Sequence, residues 1–243
     1  MLQSTNPLII LTGPTAAGKT KLSIALAKAV NGEIISADSM QVYRHMNIGS
    51  AKIQPEEMQG VKHYLVDLLE PTQDFNIFLF QKLAKQAIAE IYEKGKIPIL
   101  VGGTGFYIQS VLYDIDFKES AEDTALRTEL EQLAHKKGAA FLHDLLKECD
   151  PAAAQEIHEN NIKRVIRAIE FYRQTGRRIS EHNVAEREKK PAYDARYFVL
   201  TDQRDKLYET IDRRVDSMMA EGLVDEVKML MNMGCRRDST AMQ

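Results

Sequence analysis

Eight consecutive residues, Gly13-Pro14-Thr15-Ala16-Ala17-Gly18-Lys19-Thr20, fit the phosphate-binding pattern G-x-x-x-x-G-K-[ST] at every position. Glycines let such a loop curl its backbone N–H groups inward around an anion, and the N-terminus of the following helix adds partial positive charge. Lys19 is expected to reach the outer phosphates of a di- or triphosphate, and the Thr20 hydroxyl to ligate Mg²⁺. Asp38 follows a short apolar run at 33–37, where open parallel sheets place ligands, beyond the carboxyl ends of their strands. Three roles stay open for it: holding Mg²⁺ through water, acting as general base toward an acceptor nucleophile, or capping a turn with Ser39. Gly102-Gly103-Thr104-Gly105 provides glycines for close backbone approach to a ligand and one hydroxyl, or else a plain tight turn. Arg213 and Arg214 either deliver a guanidinium onto the ligand of the phosphate loop or pair with neighbours such as Asp212 and Asp216. The six histidines, His45, His63, His135, His143, His158 and His182, show no ligand spacing and read as structural or surface residues.

Those groups need elements to hold them. Leu8-Ile9-Ile10-Leu11 reads as a buried strand entering the loop. A helix over 19–30 follows, with an apolar stripe of Leu22, Ala25, Leu26 and Ala29, stopped by Asn31-Gly32. A second strand covers 33–37, and the apolar run 64–69 reads as a third. A long helix over 76–94 turns Ile77, Phe80, Leu83, Ala84, Ala87, Ile88 and Ile91 to one face, and a fourth strand covers 97–101. No acid of Walker B type ends that strand, which counts against an ATP-hydrolysing motor and favours an acid beside the acceptor. Short strands alternating with helices imply an α/β fold, a P-loop-type parallel sheet flanked by helices. From 119 to 190 only helical periodicity is found, and strand character returns at 196–200. The expected organisation is a catalytic core of 1–118 and 191–243 with a helical inserted domain at 119–190.

Composition narrows the class. The 243 residues are 44% hydrophobic and 28% charged, enough for one large domain with a smaller insertion. A formal net charge of −3 argues against a protein that coats nucleic acid by bulk charge, though not against a local basic site. Within the insertion, however, 119–159 carries a net −6 and 160–179 a net +5, so a basic helix is hidden in the average. Its apolar stripe, Ile162, Val165, Ile166 and Ile169, leaves Lys163, Arg164 and Arg167 to one side. Cys149 and Cys235 match no metal or disulfide framework, and no apolar run is long enough for a signal or membrane span. A cytoplasmic protein with no membrane partner is expected. The phosphate loop with Asp38 alone leaves room for a small-molecule or nucleoside kinase using ATP, and for an RNA-binding protein with a vestigial loop.

The ordered set of motifs is more specific than the loop. The loop itself, then Ile35-Ser36-Ala37-Asp38-Ser39-Met40-Gln41-Val42-Tyr43, Ile48-Gly49-Ser50-Ala51-Lys52 and 98–107, closely resembles the tRNA dimethylallyltransferase family. Asp150-Pro151-Ala152-Ala153-Ala154, Lys163-Arg164-Val165-Ile166-Arg167 and Arg214 with Met218, Gly222 and Glu226 extend the resemblance over essentially the whole chain. The resemblance implies transfer of a dimethylallyl group from its diphosphate to N6 of an adenosine beside the anticodon of tRNA. It implies that residues Thr15 to Thr20 hold the donor diphosphate with Mg²⁺, that Asp38 is the base, and that Lys19 and Arg214 meet the pyrophosphate. It further implies that Ser39, Met40 and Gln41 hold the extruded adenine, and that Thr104, Arg127, Lys163, Arg164, Val165, Ile166 and Arg167 touch the tRNA anticodon stem-loop. A monomer is expected, and one shortened at its C-terminus, because family members run on past Gln243. A prenyltransferase acting on free adenine nucleotides is the variant of this reading that would have little use for the basic helix.

Overall fold

The computed structural model describes residues 6–117, 124–237 and 239–242, and its chain divides into two units, 1–114 with 191–243 and 115–190. The boundary expected between 118 and 119 lies outside the described residues. The first unit runs β1 (Pro7–Thr12), α1 (Lys19–Val30), β2 (Gly32–Ser36), β3 (His63–Tyr64), α2 (Ile77–Glu93), β4 (Ile97–Val101) and α3 (Gly105–Leu112). After the helical segment it resumes with β5 (Asp194–Val199), α9 (Arg204–Glu221) and α10 (Leu223–Asn232). Every strand pairing is parallel, in the order β3-β2-β4-β1-β5.

Strand alternation sorts the apolar side chains onto two faces. Leu8, Ile10, Ile35 and Leu100 pack with Phe80, Ala84, Ala87, Ile88 and Ile91 of α2 and with Ile108 and Val111 of α3. Ile34 and Ile99 face the other way, against Ile24 and Ala27 of α1 and Ile53. The helix α2 starts where Asn76 accepts a hydrogen bond from Leu79 N–H at 2.9 Å, a side-chain N-cap.

Two expectations are corrected. The buried face of α1 is Ser23, Ile24 and Ala27, and Leu22 stays exposed. That helix is apolar around much of its circumference, so its pattern does not define a face; β2 and β4 choose it instead. The run 64–69 gives only the two-residue β3. Leu65 and Asp67 take left-handed φ of 62° and 53°, which turns the chain out of the sheet. Residues 67–69 then donate to Gln41 O and Val42 O, bracing the segment that follows Asp38.

The second unit comprises α4 (Thr124–Lys137), α5 (Ala139–Cys149), α6 (Pro151–Glu156), α7 (Ile162–Thr175) and α8 (Ile179–Arg187). Leu130, Leu142, Leu146, Val165, Ala168 and Ile169 form its core. Asp150 is fully buried, and its carboxylate accepts from Ala153 N–H, Ser180 N–H and Ser180 O–H, at 3.0, 2.9 and 2.7 Å. Burial acts to raise its pKa, but the Ser180 and Ala153 hydrogen bonds hold it below the usual 3.8. Among the described residues no helix is long and apolar enough to cross a membrane.

Candidate active site

The phosphate loop joins β1 to α1 at the carboxyl end of the sheet, with left-handed backbone at Ala16 (φ 66°) and Gly18 (φ 82°). Lys19 folds back over it, its ammonium donating to Gly13 O at 2.9 Å and Pro14 O at 2.7 Å. These carbonyls hold the cation over the loop. Burial lowers the Lys19 pKa from its usual 10.5, the Asp38 carboxylate opposes that shift, and the Arg214 guanidinium adds to it. Lys19, Asp38 and Arg214, drawn from α1, the end of β2 and α9, therefore share one electrostatic field.

Asp38 resolves part of its open assignment. Its Oδ1 accepts from Met40 N–H at 2.8 Å and Gln41 N–H at 3.2 Å, so it does cap a turn. Its Oδ2 takes no hydrogen bond from a described residue and remains for other chemistry. A cleft lined by Lys19, Thr20, Ser36, Asp38, Gln41, His63 and Gly102 brings four of the candidates together, Lys19, Thr20, Asp38 and Gln41, while Ser39, Met40, Thr104 and Arg214 are not in its lining. Among the described residues no cluster of three or more His, Cys, Asp or Glu could cage a metal. Mg²⁺ needs no such cage, since it is held by one or two protein oxygens plus phosphates and water. Thr20 and Asp38 present hard oxygen donors to the same cleft, a set that fits this ion.

Arg213 and Arg214 are separated by the fold. Arg213 bonds back along its own helix, to Glu209 O and Thr210 Oγ1. Arg214, one residue on, is the one within electrostatic reach of Lys19. Gly102 lines the cleft, and it also lets the ends of β2 and β4 close together: a Cβ there would lie 2.2 Å from Ala37 O. Thr104 begins α3 without a side-chain capping bond, which leaves its hydroxyl for another partner.

In the helical unit, Lys163 and Arg164 are exposed and make no ion pair with a described residue, and Arg167 is half-buried beside them. Val165 and Ile166 are buried in the core of that unit, at 0% and 4% exposure, so their side chains anchor the basic edge instead of presenting a surface. Arg127 also has another employment. Its guanidinium grips Glu170 bidentately, Nε to Oε1 at 3.0 Å and Nη2 to Oε2 at 2.9 Å, joining α4 to α7.

One cleft residue and one core neighbour are not legible as site residues in the sequence. His63 lines the cleft from β3, with Nδ1 2.9 Å from Val61 O; burial lowers its pKa, against the effect of that bond. Tyr107, a core residue stacked on Phe80 at 4.3 Å, has its pKa raised by burial and then by Asp38. Neither has a spacing signal, because both are placed by strand and helix register.

A family model described as IPP transferase matches residues 41–243. A tRNA dimethylallyltransferase of Lachnoclostridium phytofermentans is 62% identical over 237 residues, covering 98% of this chain and 76% of its own length. One from Carboxydothermus hydrogenoformans is 52% identical, covering 97% and 76%. Among solved structures, the full-length tRNA isopentenylpyrophosphate transferase of Bacillus halodurans superposes with a TM-score of 0.69 at 46% identity, covering 98% of this chain and 74% of that one. A eukaryotic dimethylallyltransferase described as acting on tRNA gives a TM-score of 0.84 at 31% identity, covering 96% and 57%. With a family model matching residues 41–243 and relatives at 52–62% identity along nearly its whole length, the chain belongs to the IPP transferase family.

Proposed function

We propose that this protein transfers the dimethylallyl group of dimethylallyl diphosphate to N6 of an adenosine beside the anticodon of tRNA, releasing pyrophosphate. The observation that carries this reading is the meeting of a phosphate loop and a turn-locked carboxylate in one cleft. An exocyclic adenine amine is a weak nucleophile, so it needs positioning and a proton acceptor as the bond forms. The N6 lone pair attacks the allylic carbon, the C–O bond to diphosphate breaks, and the electron pair leaves with pyrophosphate. The N6 proton passes to the free oxygen of Asp38. Lys19, Arg214 and the loop amides neutralise the charge that develops on the leaving group. Mg²⁺, held by Thr20, would add charge neutralisation on the same phosphates.

The adenine must leave the anticodon stack to reach Asp38, at a cost of a few kcal/mol. Phosphate contacts from Lys163, Arg164 and Arg167 offset that cost, while Thr104 and residues Ser39 to Gln41 meet the extruded nucleoside. A cytoplasmic setting, where tRNA is available, goes with this reading. The test is to incubate the protein with labelled dimethylallyl diphosphate and tRNA, digest the RNA, and identify the labelled nucleoside. Label on N6 of adenosine is expected. Phosphoryl transfer from labelled ATP to a small molecule, with no label reaching tRNA, would overturn the reading in favour of a kinase.

A further inference from the structure

Gly222 and Glu226 belong to the motif set of the sequence but have no part in the chemistry above. Their places in the fold give them one. The helix α9 carries Arg214, yet none of its residues is buried. A helix without a buried face is held by its ends. Toward its N-terminal end, Leu200 N–H donates to Thr12 O at 2.8 Å, at the edge of the phosphate loop. At its C-terminal end, Gly222 turns the chain directly into α10, whose buried residues are Glu226 and Leu230.

The Glu226 side chain makes an unusual bond set for a helix carboxylate. Its Oε2 accepts from Asn47 N–H at 2.7 Å and Ile48 N–H at 2.8 Å, and its Oε1 from Gly49 N–H at 2.9 Å. Three successive amides thus close on one anion supplied from 177–179 positions further along the chain. Hydrogen bonds to an ionised acceptor are about twice as strong as neutral ones. The nest is itself a fixed point: buried Lys52 donates to Tyr43 O and to Asn47 Oδ1 at 3.0 Å, tying it to the segment after Asp38. Gly49 admits α10 to this position, since a Cβ there would stand 3.1 Å from Leu223 Cδ1 and 3.5 Å from Glu226 Oε1.

We infer that Glu226 is a positioning residue: its carboxylate, locked into the 47–49 amides, fixes the far end of α9 so that Arg214 meets the leaving pyrophosphate. The inference rests on the reading of Arg214 given under the proposed function. Glu226→Gln keeps the volume but sets an amide N–H₂ against a backbone N–H, so the nest loosens without a cavity. Gly49→Ala disturbs the same joint from the opposite side and is the milder change.

The experiment is a double-mutant cycle on the full chain. It measures kcat and KM for dimethylallyl diphosphate at saturating tRNA, pyrophosphate affinity by calorimetry, and melting temperature for each variant. Glu226→Gln is expected to lower kcat/KM for the donor by on the order of 10- to 100-fold and to weaken pyrophosphate binding, with tRNA affinity unchanged. In the Arg214→Ala background the same substitution should change kcat/KM by less than about twofold, because its route of action is gone. Gly49→Ala should follow the same pattern with a smaller factor. An equal loss in both backgrounds would make Glu226 a general structural residue and overturn the inference. No loss in either would do the same. Arg214→Ala with full activity is a separate result: it removes the reading beneath the inference, whatever Glu226→Gln does.

Discussion

Replacing Gly102 with alanine tests how tightly the Asp38 carboxylate, the proposed base, is tied to the sheet. The added Cβ would lie 2.2 Å from Ala37 O, 2.5 Å from Ala37 C and 2.8 Å from Ala37 Cβ. Two of those three atoms are backbone, so no flexible side chain can yield. Ordinary contact begins near 3.4 Å, and the ends of β2 and β4 must therefore part by about 1 Å. They are joined there by Ala37 N–H to Val101 O at 2.7 Å, a bond that such a shift would break or stretch. Asp38 is the next residue, so the displacement passes to the carboxylate proposed to take the N6 proton. Overpacking of this kind costs about 1–3 kcal/mol of stability, and a misplacement of about 1 Å at a reacting group costs roughly 10²-fold in rate. The assay is single-turnover transfer at saturating donor and tRNA, with urea unfolding as the stability measure. Donor affinity should change far less, because Lys19 and its loop hang from β1 and α1. A rate near wild type in a destabilised protein would refute the reasoning, since the strand ends would then part without carrying Asp38.

Arg127→Ala strands the Glu170 carboxylate, which is 1% exposed, and should cost about 3 kcal/mol in urea unfolding, the low end for a broken buried pair because Arg127 is a third exposed. Its tRNA salt dependence should be unchanged; a reduced slope with intact stability would return Arg127 to RNA contact. Replacing Lys163, Arg164 and Arg167 together with alanine should flatten the log–log salt dependence of tRNA binding by up to about 2, at ~0.7 per single-strand phosphate, and leave donor affinity alone. An unchanged slope would sink those contacts. Lys19 has its pKa lowered from 10.5; with its protonated form as the proposed grip on the diphosphate, donor affinity should be full at lower pH and fall as pH rises through the lowered value. In Lys19→Arg that alkaline fall should move beyond pH 10.5, which calorimetry across pH 7–10.5 reads directly.

The parts legible in the sequence are those where local pattern and fold agree. The phosphate loop is specified by glycine and lysine spacing, and β4 by an apolar run with definite ends at Gly95 and Gly102. The long helix α2 declares its face because its other side is charged. Less legible is whatever depends on a partner distant in the chain. The face of α1 is chosen by Ile34 and Ile99. The run 64–69 leaves the sheet at Leu65 to brace the Asp38 turn, which no apolar count reveals. Glu226 looks like any acidic residue in the first turn of a helix until the 47–49 amides are brought to it. Val165 and Ile166, by contrast, are set apart from Lys163 and Arg164 by their 3.6-residue phase, which the sequence already shows.

The most direct test of the account is the rate of dimethylallyl transfer by Asp38→Asn under single-turnover conditions. Asparagine retains an oxygen to accept from Met40 and Gln41 N–H, so the turn should survive while the proton acceptor is lost. The account predicts a rate lower by roughly 10²–10⁴, with dimethylallyl diphosphate and tRNA affinities changed far less. Intact chemistry accompanied by weakened tRNA binding would contradict it, and would make Asp38 a recognition residue.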